Sequence, residues 1–260
     1  MNKRITLKIT KIVRETKDIN TYIFHYSLHA EPGQFIMLTD FEGGEKPFSI
    51  ANCSENEFSI TVKKIGKFTS RLFNKEEGDF LSIRGAYGSP FGIFPGKVLL
   101  VGGGYGVPPL YFLAKKLLQN DINITIANGA KTKNELIYSN QFENLGIEVF
   151  NSTDDGSFAK KCTVVETAEN LIRTRKFDFV YASGPEMMMK NLQKVLKSIP
   201  YEFLFERYMK CAIGICGNCT MDPLGIRLCV EGPVLPKRLV EQLTEFGKYK
   251  RDASGKRIKF

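Results

Sequence analysis

The sequence predicts an α/β plus all-β chain in three parts. These are an antiparallel β-barrel over residues 1–96, a parallel-sheet α/β domain over 97–203, and a small cysteine-bearing module with a basic tail over 204–260. Three observations carry that expectation. Residues 1–94 read as short β-like runs separated by turn residues. After Gly96 the pattern changes to strands and helices in alternation, opened by a glycine cluster. Four of the six cysteines, Cys211, Cys216, Cys219 and Cys229, fall within nineteen residues.

The first part is justified by its runs at 5–13, 20–25, 35–39, 48–51, 57–62 and 80–84. Pro32-Gly33, Gly43-Gly44 and Gly78-Asp79 supply turn chemistry between them. Six strands at short spacing favour a small antiparallel barrel. One helix is expected at 69–74, with Thr69 as its cap. The second part opens with the continuous apolar run KVLLV at 97–101. A helix over 108–119 and a strand over 122–127 follow. The alternation continues with a strand at 147–150, a helix at 164–174, a strand at 177–181 and a helix over 185–198. Strands alternating with helices form a parallel sheet covered on its faces. A last strand at 202–205 leads into the cysteines, and a final helix is expected over 237–246.

A length of 260 residues accommodates two compact domains, or one large domain with an appendage. The 43% hydrophobic and 25% charged content is that of an ordinary globular protein. The opening MNKRITLKITKIVRET alternates polar and apolar residues, so it reads as a strand and not as a secretory signal. No apolar run approaches the roughly 18 residues of a membrane helix, so no membrane association is expected. The expected location is cytoplasmic, where clustered cysteines more often bind metal or do redox work than form disulfides. Net charge is +9, and the tail GKYKRDASGKRIKF holds six Lys/Arg against one Asp. No aromatic–basic interleaving or recognition motif accompanies it, so no nucleic-acid partner is expected. Such a tail reads as a solvated end or as one that docks on an acidic partner.

VLLVGGGYGVPPLYFLAKKLL is strand, glycine turn, helix. Glycines there let a backbone approach phosphate closely, and the helix N-terminus favours the anion. The usual dinucleotide fingerprint would place a third glycine at Val107 and an acid after the next strand; that strand ends Ala127-Asn128-Gly129 instead. Taken alone, the loop has a lesser alternative as a tight turn without a ligand. ASGPEMMMKNL adds a second strand end turning through Ser183-Gly184-Pro185 into a helix, and two such turns at one sheet edge can flank one cofactor. Of Met187, Met188 and Met189, some must be core. Lys131 and Lys133 follow the second strand and bear on a 2′-phosphate; exposed lysines are common, and NAD is the expected nucleotide.

GEKPFSIAN brings a cation, a ring and a hydroxyl together at a strand start. Such a set suits a pyrophosphate, a flat ring and a flavin nitrogen. VKKIGKFTSRL places Gly66 and Thr69 at a helix start, a further phosphate seat. A buried Phe48 and a capping Thr69 are sufficient structural reasons for either stretch by itself. The cysteine spacing is C-x4-C-x2-C-x9-C. Structural zinc sites use two close Cys pairs, or Cys pairs with His, and the only histidines, His25 and His29, lie far off in sequence. The order matches the plant-ferredoxin ligand set of a [2Fe–2S] cluster, with zinc and disulfides as the alternatives. Cys53 and Cys162 read as small apolar residues.

Taken in order, KPFS, GKFT, GGGYG and SGPEMM resemble the ferredoxin–NADP reductase superfamily. With the terminal cysteine set ending CVEGPVL, and STDDGSFAKKCTVVE before it, the chain is similar to the electron-transfer subunits of NAD-dependent dihydroorotate dehydrogenases over nearly its whole length. The resemblance implies FAD on Lys46, Pro47, Phe48 and Ser49, on Thr61, Val62 and Lys63, and on Gly66, Phe68 and Thr69. Lys46 stands where the family usually has Arg, and Phe68 where it usually has Gly. It implies NAD at Gly102, Gly103, Gly104, Gly106, Gly184 and Pro185, and cluster ligation by Cys211, Cys216, Cys219 and Cys229. The implied role is electron passage from the FMN of a dihydroorotate dehydrogenase catalytic subunit, through [2Fe–2S] and FAD, to NAD+ in pyrimidine synthesis. The implied complex is a heterotetramer of two of each subunit, and no catalytic acid–base residue is expected. Related subunits of sulfide dehydrogenase or of NADH-dependent ferredoxin–NADP oxidoreductase are a second reading. A zinc-stabilised interaction module is a third.

Overall fold

The computed structural model describes residues 3–158 and 161–260. Six strands form the first layer: β1 (Ile5–Thr16), β2 (Ile19–Phe24), β3 (Phe35–Thr39), β4 (Glu45–Cys53), β5 (Phe58–Lys63) and β6 (Phe80–Tyr87). They close into an antiparallel barrel in the order β1-β2-β5-β4-β3-β6. Closure pairs every edge, so no strand is left as a template for aggregation. Tyr22, Phe24, Ile36, Leu38, Phe58 and Ile60 fill the interior.

Helix α1 (Lys67–Leu72) bridges β5 and β6. It starts two residues before the expected Thr69. Gly66 is the cap, and the Thr69 hydroxyl reaches back to accept from the backbone N–H groups of Ile65 and Gly66 at 2.9 and 3.0 Å. Thr69 therefore satisfies the helix start from inside the first turn, which moves the boundary.

The α/β part contains β7 (Lys97–Gly103), α2 (Val107–Leu118), β8 (Asn123–Ala130), α3 (Ser139–Asn144), β9 (Glu148–Thr153), α4 (Val164–Thr174), β10 (Phe179–Ser183), α5 (Glu186–Leu196) and β11 (Tyr201–Leu204). Helix α3 was not expected from the sequence; six residues give too short a period to read. Helix α4 begins with a capping box, in which Glu166 N–H donates to the Thr163 hydroxyl and Thr163 N–H to the Glu166 carboxylate. Helices α2 and α3 pack on one face of the sheet, and α4 and α5 on the other.

The last segment adds β12 (Thr220–Met221), β13 (Ile226–Arg227), β14 (Val234–Pro236), α6 (Lys237–Val240), β15 (Tyr249–Arg251) and β16 (Arg257–Lys259). The expected helix over 237–246 is thus one turn, because its remaining apolar residues, Leu243 and Phe246, anchor an irregular chain in the core instead. The sheet order is β14-β11-β10-β7-β8-β9. Five strands are parallel, and β14 joins β11 antiparallel, so the segment after the cysteines completes the sheet. One core runs through all parts: Phe35 and Met37 of the barrel, Leu99 and Val101 of the sheet, and Cys219, Leu228 and Phe246 of the last segment belong to it.

The basic tail is a hairpin, β15–β16, docked on the chain's own acids. Arg251 donates to Asp222 at 2.7 Å and to Glu245 at 3.1 Å, and Arg257 to Asp222 at 3.0 Å. Beneath it lies a buried ion cluster in which Arg207, 2% exposed, pairs with Glu186 and, at 3.5 Å, with Glu245.

Candidate functional site

The strand order reverses between β7 and β10, which start the two runs of the sheet outward. That is the switch point at which parallel sheets open a crevice. Both glycine turns lie there, and they touch. A Cβ on Gly106 would stand 2.5 Å from Gly184 Cα, and one on Gly184 3.1 Å from Gly103 Cα. Gly106 and Gly184 thus let two turns pack backbone to backbone, while Gly102 makes room for Val107 at the start of α2. Gly103, Gly104 and Pro185 line the adjoining cleft, with Lys131, Asp154 and Met188. Among the methionines, Met189 is core and Met187 is exposed. Acids do line this cleft: Glu135, after the second strand, and Asp154, after the third. Lys133 is not part of this lining, and its backbone N–H donates to the Ser157 hydroxyl at 2.7 Å.

A second cleft opens between barrel and sheet. Pro47, Phe48, Ser49, Thr61, Val62, Lys63 and Thr69 line it from the barrel, and Tyr105, Pro108 and Glu206 from the other side. Flat apolar walls with a few hydroxyls suit a planar ring. Lys63 and Tyr105 belong to both clefts, so the two adjoin. Gly66 lies at the cap of α1, in an adjoining hollow with Ser70 and Arg71. Phe68 turns its ring into the barrel core, stacked 6.0 Å from Phe48. Lys46 is committed elsewhere: its Nζ donates to the Tyr208 hydroxyl at 3.0 Å and lies 4.4 Å over that ring.

Sequence reasoning passed over Tyr105 and Glu206. Tyr105 is inside the glycine run itself, a bulky residue where a minimal turn needs none. Glu206 is the first charged residue after β11. Its side chain is exposed to solvent in the open cleft, while atoms of both cleft walls crowd around its carboxyl. Desolvation by those crowding walls pushes its carboxyl up to about 7, against the Tyr105 hydrogen bond and the nearby Lys250. The Glu206 charge, with burial, in turn raises the Tyr105 hydroxyl.

The four cysteines come together beside the barrel as two pairs. Cys211 interacts directly with Cys216, and Cys219 with Cys229. Among the described residues, no three His, Cys, Asp or Glu side chains are gathered for a single ion. Two pairs of thiols are the donor set of a two-iron centre, each iron taking one pair. Positive φ at Ala212 (59°) and Gly214 (78°) curls the loop so that peptide N–H groups face sulfur. Gly214 N–H donates to Cys229 Sγ at 3.2 Å, and Cys216 N–H to Cys211 Sγ at 3.4 Å. Burial acts to raise the Cys211 thiol, but the N–H groups of Cys216, Ile213 and Ile215 outweigh it and bring it down to about 6. Its bonded partner Cys229 brings the Cys219 thiol down to about 7, and Cys229 rises correspondingly. Cys53 is half-buried and donates to the Leu28 carbonyl at 2.9 Å, as a small core residue would.

A ring cleft on a barrel, a nucleotide cleft at a sheet switch point and a paired-cysteine loop define a flavin reductase of the ferredoxin-reductase type with an added iron–sulfur module. The comparisons identify its kind. Residues 206–241 match the iron-sulfur cluster binding domain of dihydroorotate dehydrogenase B. A protein of Methanocaldococcus jannaschii is 39% identical, with 99% of each chain covered, and one of Pyrococcus horikoshii is 41% identical over 98% of each. Both bear the name "Probable dihydroorotate dehydrogenase B (NAD(+)), electron transfer subunit". A solved structure of an NADH-dependent reduced ferredoxin–NADP oxidoreductase superposes with a TM-score of 0.82 at 32% identity, covering 95% of both chains. The chain belongs to the family of dihydroorotate dehydrogenase B electron transfer subunits.

Proposed function

We propose that this chain is the electron-transfer subunit of an NAD-dependent dihydroorotate dehydrogenase, acting in pyrimidine synthesis. Electrons taken from dihydroorotate at the FMN of a separate catalytic subunit reach NAD+ by way of the [2Fe–2S] and FAD sites of this chain. The observation that carries the reading is the succession of sites: paired cysteines beside the barrel, then the ring cleft, then the nucleotide cleft that shares Lys63 and Tyr105 with it. When bound, the cluster exchanges single electrons, the nicotinamide exchanges a hydride, and the flavin does both and so belongs between them.

The residues of the chain hold and orient. Pro47, Phe48 and Val62 give the ring its apolar seat, and Ser49, Thr61 and Thr69 offer hydroxyls to its polar edge. Gly66 and the start of α1 lie toward the phosphates. Gly103, Gly104 and Pro185 form the seat of the nucleotide, and the tight approach of Gly106 and Gly184 keeps that seat shallow enough for the nicotinamide to reach the ring cleft. Cys211 and Cys216 would hold one iron, Cys219 and Cys229 the other. We assign flavin, nucleotide and cluster to residues 1–96, 97–203 and 204–260 respectively, and place the protein in the cytoplasm as a heterotetramer of two of each subunit. Among the described residues no helix is long and apolar enough to cross a membrane.

Protein purified without oxygen is expected to show flavin absorption with a broad cluster shoulder. Mixed with an FMN-bearing catalytic partner, it is expected to support dihydroorotate-dependent NAD+ reduction. Zinc in place of iron refutes the cluster, and a coloured pair without that activity refutes the pyrimidine role. The bifurcating oxidoreductase reading is less favoured, because the relatives at 39–41% identity carry the dihydroorotate name while that structure stands at 32%.

A further inference from the structure

We propose that Arg84 of the barrel is a positioning residue for the cysteine centre, fixing the peptide of Cys211 and, through its charge, easing reduction of what the cysteines hold. The inference rests on the reading of the four cysteines as a [2Fe–2S] site. Arg84 is 127 residues from Cys211 in sequence and lines neither cleft. Its guanidinium is oriented by Glu45, to which Nε donates at 2.9 and 3.0 Å and Nη2 at 2.5 Å. Glu45 is itself held by Arg4 at 2.9 Å. With the fork anchored, Nη1 donates to the Cys211 carbonyl at 2.8 Å and Nη2 approaches the Lys210 carbonyl at 3.4 Å. Both partners of the ion pair are 16% exposed, so the contact is shielded from the screening that makes surface pairs weak.

The residues just past the end of the same strand grip the other end of the cysteine segment. Ser89 N–H donates to the Gly232 carbonyl at 2.5 Å, and its hydroxyl approaches the Glu231 and Val234 carbonyls at 3.3 and 3.2 Å. A Cβ on Gly88 would stand 2.4 Å from Pro233. The chain is therefore tied to β6 at its first cysteine and just beyond its last. Arg84 pairs across the barrel with Met37, and Met37 with Pro47 of the ring cleft. One row of the barrel thus joins the ring seat to the cysteine loop, and a β-ladder is a stiff ruler for the separation between two carriers. Potentials of iron–sulfur sites follow net charge and hydrogen bonding around the ligands. A permanent cation one peptide from a ligand favours the reduced, more negative state.

The test is a redox titration of the purified holoprotein followed by the cluster EPR signal. For R84Q, the reduced-to-oxidised ratio at fixed potential is expected to fall about tenfold, equivalent to about 59 mV for one electron. R84K keeps the charge without the fork and is expected to recover at least half of that shift. Flavin reduction by NADH should stay within about twofold of wild type, because Arg84 touches neither cleft. R84Q at the wild-type potential, or R84K fallen as far as R84Q, overturns the proposal. Where R84Q yields no folded protein, E45Q serves: it frees the guanidinium and keeps the cation, and a broadened cluster signal is expected. An unchanged E45Q signal overturns the proposal. A wild-type protein with no cluster signal refutes the underlying reading as well, whereas a cluster-bearing wild type with unaltered variants refutes the proposal alone.

Discussion

Gly106→Ala isolates the packing of the two glycine turns. Gly106 has φ −81°, a conformation open to any residue, so alanine brings no backbone strain. What it brings is a methyl group 2.5 Å from Gly184 Cα, 2.6 Å from Gly184 N and 2.8 Å from the Ser183 carbonyl carbon. All three are backbone atoms, and none can swing aside. Carbon atoms rest about 3.5–4.0 Å apart, so the turns must separate by about 1 Å. Overpacking of this kind costs about 1–3 kcal/mol, or roughly 2–10 °C in Tm for a chain of this size. The same 1 Å displaces the nucleotide seat relative to the ring cleft, and a misplacement of that size costs about 100-fold in rate. Stopped-flow reduction of the bound flavin by NADH reads this directly. Flavin content and cluster absorption are expected to remain normal, since both lie outside the turn. Gly146→Ala, outside both clefts, is the control: its Cβ would meet open space, and its φ of +76° costs only about 1–2 kcal/mol of local strain. Gly106→Ala reducing its flavin at the wild-type rate, or no more slowly than Gly146→Ala, would refute the argument that the paired turns set the nucleotide seat.

Three further outcomes are expected. Cys216→Ser should lose the cluster signal while NADH still reduces the flavin; equal loss of flavin reduction contradicts the order of carriers. Asp154→Ala should narrow discrimination against NADPH by about tenfold, the worth of one like-charge contact with a 2′-phosphate, as measured by the ratio of kcat/KM for the two nucleotides; an unchanged ratio removes Asp154 from that role. Glu206→Gln addresses pH. Burial raises the Glu206 carboxyl from 4.5 to about 7, so between those values the folded state holds a proton that the unfolded state has lost. Stability from this group is therefore present below about pH 4.5 and declines as pH rises to about 7. Wild type should lose ground to Glu206→Gln in Tm between pH 5 and pH 8, by an amount reduced by water in the cleft; a constant difference across that range refutes the shift.

Most of the architecture was legible from pattern. Alternation with period two in the barrel, and the change to strand–helix alternation at Lys97, both follow from side chains choosing a face, which is a local matter. Boundaries drifted where a side chain reached back, as Thr69 does, or where apolar residues served the core without a helix, as Leu243 and Phe246 do. The cysteine spacing foretold an iron–sulfur segment, in keeping with the family match over residues 206–241, but the grouping of the thiols into two pairs came from the fold. The glycine runs foretold turns but not their mutual contact, since nothing in GGGYG or SGPE says that β7 and β10 are neighbours.

The sequence by itself determined the kinds of element, their order, the chemistry of the cysteine loop and the stretches that line the ring cleft. These depend on composition and spacing over a few residues. Only the tertiary structure decided that Asp154 lines the nucleotide cleft, that Tyr105 meets Glu206, that β14 returns to complete the sheet, and that Arg84 holds the Cys211 carbonyl. Each of these joins residues brought together by strand order and barrel closure, with partners up to 127 positions apart. Such pairings are set by the packing of whole elements against one another, and no local pattern encodes them.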